Sequence, residues 1–99
     1  MIDFTAILTD LEGNRIMDNG RPVTLGRAAM MALIGQVPED QSMTGEDRFR
    51  FARLAEKVMD NPAAKLPVED VALIKDRIGK FFSPVVVYRA WPLLDPAVA

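Results

Sequence analysis

Residues 66–91, LPVEDVALIKDRIGKFFSPVVVYRAW, constrain the fold more than any other stretch of the chain. At about 100° per residue, a helix over 69–82 places Val71, Ile74, Ile78, Phe81 and Phe82 on one face. That is the width of a stripe that must be buried against something else. Glu69, Asp76 and Lys80 fall opposite, and Asp76 and Lys80 stand four apart with the acid first, the better order for an ion pair. Glu69 and Asp70 in the first turn, and Lys75, Arg77 and Lys80 towards the end, suit the helix dipole. Pro67 precedes the helix, where a missing N–H costs little. Leu73 lies on the charged side: either a leucine that a neighbouring element covers, or an anchor for a partner. Gly79 weakens the last turn or admits a close neighbour.

Ser83-Pro84 reads as an N-cap followed by a first helical position, although Val85, Val86, Val87 and Tyr88 favour a strand. The cap signal is the more specific, so a short helix over 84–91 is expected. Tyr88 and Trp91 would help close the core, and residues 92–99 would form an irregular tail.

The stripe needs a partner, and residues 25–34 supply one. Ala28 to Ile34 are apolar without interruption, which marks a helix buried on several sides. Thr24 can cap its start and Gly35 can end it. Met30 and Met31 read as core in this setting, with an adaptable binding surface as the other use of methionine. Residues 36–43 form a polar loop. A further helix over 46–60 begins with Thr44 and Asp47, an approximate capping box. Its inner face is Phe51, Leu54, Ala55, Val58 and Met59. Phe49 falls off that face, so it either covers the edge of the core or forms an exposed patch. Ahead of the helices, residues 2–9 alternate as a strand, and Glu12-Gly13-Asn14 and Asn19-Gly20 are turn signals. Residues 15–17 and 21–24 can pair around Asn19-Gly20. The expected class is α+β: a short N-terminal β meander over 1–24, packed on a bundle of three to four helices over 25–91. A chain of 99 residues makes this one domain.

Composition removes most chemistry. The chain has no histidine and no cysteine, and so lacks the commonest general base, the commonest metal ligand and every thiol device. No Gly-rich phosphate loop is present. The acid pairs Glu39/Asp40, Glu46/Asp47 and Glu69/Asp70 occupy a loop or first helical turns, and adjacent acids do not share a helical face. Asp10, Glu12, Asn14 and Asp18 do not match the spacing of a calcium loop. No enzyme, cofactor or metal is therefore expected. The net charge of −2, from 12 basic and 14 acidic residues, argues against a nucleic-acid or anionic-membrane partner. Arg50, Arg53 and Lys57 nevertheless share a helical face and are the candidates for a nucleic-acid-associated role. Apolar runs are too short to span a bilayer, and Asp3 stands where a signal peptide would carry a cation. A cytoplasmic protein is the expectation.

The segments VTLGRAAMMALIG, TGEDRFRFARLAEKV and LPVEDVALIKDRIGKFFSPVVVYRAWPLLD resemble, in this order, small uncharacterised proteins of tailed bacteriophages and prophages. Those carry a TLxxxAxxALL helix start, an SGEExxxRxxLAxKI helix and an LTxEEIxLIKxxIGKxxxPLxVGQAWxxL ending. The likeness covers most of the chain after Val23 and is most specific over 66–91. Pro67 departs from a capping Thr, Tyr88-Arg89 from Gly-Gln, and Pro92 follows the Trp, which bears on the length of the last helix. The resemblance brings no activity. It implies an accessory or assembly protein in the cytoplasm of a bacterial host cell, with virion association left open. Such a protein would act through protein–protein contacts, self-association among them. The candidate contact residues are Phe49 and Leu73, with Tyr88, Arg89 and Trp91 as a second set.

Overall fold

A single helix occupies the centre, and each of its ends is closed by a different part of the chain. The computed structural model describes residues 2–60 and 65–95. Helix α1, Leu25–Ile34, buries Leu25, Gly26, Ala28, Ala29, Ala32 and Leu33. Helix α2, Gly45–Asp60, and helix α3, Val68–Phe81, both pack on it, and helix α4, Pro84–Leu94, packs on α3. The small alanines of α1 are why two helices can approach it closely. Gly26 carries this furthest: a Cβ there would lie 3.1 Å from the backbone oxygens of both Phe4 and Val58.

The first N–H groups of a helix have no partner within it. In α1 the Thr24 hydroxyl accepts from the Arg27 amide at 3.1 Å. The amides of Leu25 and Gly26 donate to the carbonyls of Ala6 and Phe4, at 2.8 and 2.9 Å. The N-terminal segment thus binds the helix start through its backbone, while Phe4 and Leu8 enter the core.

The β layer is smaller than the expected meander. Strands β1, Met17–Asp18, and β2, Arg21–Pro22, pair antiparallel with Met17 opposite Pro22. Asn19 and Gly20 both have positive φ, 51° and 78°, as the tight turn between twisted strands requires. Residues 2–9 alternate in burial as expected, yet they form no strand, only isolated bridges from Ile7 to Thr24 and from Thr9 to Arg15. The reason is local competition. The Asp3 carboxylate accepts from the amide of Thr5 at 2.9 Å, and Asp10 Oδ1 accepts from the amides of Glu12 and Asn14, both at 2.9 Å. Such side-chain bonds curl the backbone away from a ladder.

Three helical details differ from expectation. Residues 36–43 are not a plain loop, because Pro38–Ser42 form a 3-10 turn with Val37 buried beside it. Met59 is exposed, leaving Leu54, Ala55 and Val58 as the buried face of α2. Helix α4 does not stop at residue 91 but runs through Pro92 to Leu94. An internal proline removes one backbone bond and crowds the carbonyl four residues earlier. Burial of Leu94 and the bond from the Asp95 amide to the Trp91 carbonyl, 2.8 Å, offset that loss. The irregular tail therefore begins later than residue 92, and residues 96–99 lie outside the described residues. Elsewhere the helix signals hold: Thr44 and Asp47 cap α2 reciprocally at 3.1 and 3.3 Å, and Lys80 pairs with Asp76 at 3.2 Å.

Gly26 offers a direct check of this packing. Alanine is the better helix former, yet Gly26→Ala should destabilise the protein by about 1–3 kcal/mol in urea unfolding, because both crowding atoms are backbone.

Candidate functional site

Two places gather polar and aromatic side chains, and they differ in kind. The first is Arg77, which the helical projection places among the charged residues of α3 but which is only 4% exposed. Its Nε donates to the Ala32 carbonyl at 2.9 Å and its Nη2 to the Gly35 carbonyl at 2.8 Å. Nη1 and Nη2 both reach Asp40, the latter at 3.1 Å, and the guanidinium lies 5.1 Å from the centroid of the Phe51 ring. The last turn of α1 contains no basic residue of its own. Arg77 supplies the missing cation from another helix, at the end where the dipole favours it. Asp40 is oriented in turn by the amide of Val37, which donates to its Oδ2 at 3.0 Å. The Arg77 hydrogen bonds hold the Asp40 carboxyl below its ordinary value of 3.8. Each of the three guanidinium nitrogens donates to a protein acceptor, so the cluster is a structural clasp.

The second place is a groove between α3 and α4, about 760 Å³ in volume. Helix α4 turns Val86, Ala90 and Leu94 inward at helical spacing. The adjacent stripe, Val87 and Trp91, then faces the groove with Phe82. Gly79 forms part of its wall, where a Cβ would sit 2.9 Å from Trp91 Cζ2. The expected close neighbour of Gly79 is thus an indole ring. Trp91 is fixed by its Nε1, which donates to the Lys75 carbonyl at 3.0 Å, and by the Lys75 ammonium 4.7 Å from the ring centroid. Arg89 lies 5.4 Å from the centroid of Tyr88 and donates to the Asp10 carbonyl at 3.0 Å. Tyr88 does not close the core as expected: it is 64% exposed at the edge of the groove.

The candidate contact residues therefore divide. Tyr88, Arg89 and Trp91 come together at the groove. Phe49 is 69% exposed on α2, off the face that packs on α1, and Leu73 is half-buried against the core. Of the basic face, Arg50 is drawn to Asp70 at 3.0 Å, while Arg53 and Lys57 are exposed. Among the described residues no three acids, histidines or cysteines gather to hold a metal ion, and no helix is long and apolar enough to cross a membrane. Comparison with known proteins gives no match: no family model, no curated protein and no solved structure resembles the chain closely enough to count as one.

The clasp predicts its own sensitivity. Arg77→Met should cost about 3 kcal/mol in urea unfolding, the lower end for a broken buried pair, because Asp40 retains some access to water. The Asp40 carboxyl is depressed in the folded state, so its contribution is complete above its unfolded value near 3.8 and is lost as pH falls through the lower folded value. Melting curves from pH 6 to pH 2 should show Asp40→Asn less stable than the parent at pH 6, with the gap closing in acid.

Proposed function

We propose that this protein acts through protein–protein contacts, as a non-enzymatic accessory or assembly protein of a bacteriophage or prophage. The groove between α3 and α4 is its contact face. The observation that carries the contact reading is the grouping of Tyr88, Arg89 and Trp91 around one apolar trough. Aromatic residues and arginine are the types that dominate binding energy at protein interfaces. Trp91 and Arg89 are already held in place by hydrogen bonds, so little side-chain entropy remains to be lost when a partner docks. The sequence resemblance over 66–91 supports the phage assignment; it includes Gly79 and Trp91 of the groove, while Tyr88 and Arg89 are this chain's own departures from the pattern. The absence of histidine and cysteine fits a binding role.

Tyr88→Glu tests this reading, because an exposed side chain can change without loss of the fold. The variant should melt within about 1 °C of the parent, as surface substitutions do. It should also lose whatever the parent acquires in phage-infected lysate or, by light scattering over a concentration series, with itself. Equal binding by parent and variant would move the contact off this face and return attention to Phe49.

A further inference from the structure

The charge of the groove narrows the partner. Arg89 is the one charged side chain among the residues that line it, and among the described residues it has no acid partner. Its guanidinium is spent on a neutral carbonyl, that of Asp10, and on the face of Tyr88. Neither neutralises the charge. The remaining walls, Phe82, Val87, Trp91 and Leu93, offer no acceptor side chain. A cation at the edge of an apolar trough is poorly solvated, and a carboxylate brought to it forms a charge-assisted bond of the stronger kind.

We infer that the groove takes a short apolar peptide segment of a partner protein that carries an acidic residue opposite Arg89. This rests on the contact reading above and goes one step beyond it. Three features select that occupant. An arginine rejects a lysine- or arginine-bearing segment by direct repulsion. A second copy docked groove on groove about a two-fold axis would bring two Arg89 cations into one interface, with no acid in either groove to pair with them. A trough of about 760 Å³ has room for a few side chains of a docked segment. Tyr88 and Leu93 remain exposed at the edge, where a segment passing through the trough would cover them.

The test uses the whole chain and short acetylated, amidated peptides of Leu, Phe and Ala with one central Glu, Gln or Lys. Trp91, the only tryptophan in the chain, reports binding by its emission, and amide chemical shifts over residues 79–93 locate it. The Glu peptides should bind about tenfold more tightly than their Gln counterparts, the scale of one hydrogen bond to a charged group, and the Lys peptides more weakly than either. Arg89→Gln should collapse the Glu-to-Gln ratio to about one, while Arg89→Lys keeps part of it. The peptide series in the parent protein stands even if an Arg89 variant fails to fold. Equal affinity for Glu, Gln and Lys peptides would overturn the inference and leave the contact reading intact. Shifts over 79–93 that appear on concentration alone would make the occupant a second copy. Saturable binding of laurate without any peptide binding would make it a small amphiphile. Either result overturns the inference. Binding of none of these, with Tyr88→Glu also silent in lysate, would remove the contact reading as well.

Discussion

A buried arginine holds three separate parts of this chain together. Arg77 leaves α3, passes the Phe51 ring of α2, and ends on the last carbonyls of α1 and on the Asp40 carboxylate. Leaving a guanidinium in such a place without partners would cost several kcal/mol. Here the partners are the Asp40 carboxylate and the carbonyls of Ala32 and Gly35. Those carbonyls belong to the most buried helix of the protein, whose own last turn offers no cation. The position of α3 on α1, and of the 36–43 segment beside both, follows from meeting this one demand. At the opposite end of α1 the demand is the mirror image: unpaired amides, met by backbone carbonyls of Phe4 and Ala6. The N-terminal segment meets it with carbonyls at two points and without a ladder, since Asp3 and Asp10 curl its backbone.

The groove follows from the same arrangement. Helix α4 packs chiefly on α3 and buries one stripe, Val86, Ala90 and Leu94, in the common core, while Arg89 ties it to the N-terminal segment. Its next stripe is left over the break at Ser83-Pro84, beside a glycine that makes space for an indole ring. The pinned Arg89 and Trp91 are what give the groove a defined shape.

Much of this was legible in the sequence. Thr24 and Gly35 bracket α1, Thr44 and Asp47 mark the start of α2, and Ser83-Pro84 marks α4 against the strand preference of its valines. Each is a local signal whose physics acts within one turn. Arg77 was not legible as a core residue, because a projection of α3 alone sets it among the charged residues of that helix. Its acceptors stand 37 to 45 residues earlier, in a helix end and in a segment that reads as a polar loop. The groove was half legible. Tyr88, Arg89 and Trp91 stood out as residue types, but their meeting with Gly79 and Phe82 depends on how two helices fold back on each other. Leu73 and Phe49 illustrate the limit from the other side: both lie off an inner face in projection, and packing covers one and leaves the other exposed.

The long span of the clasp has a consequence for the order of events on the ribosome. Synthesis delivers α1 and α2 first, and these can pair by their adjacent apolar faces. At that moment the carbonyls of Ala32 and Gly35 and the carboxylate of Asp40 have been made, but the arginine that joins them has not. The alanine face of α1 that will receive α3 is still open to water. Until Arg77 is made, the clasp at the rear of α1 has no cation and cannot form. Native packing waits for the residues around 74–78 to clear the exit tunnel.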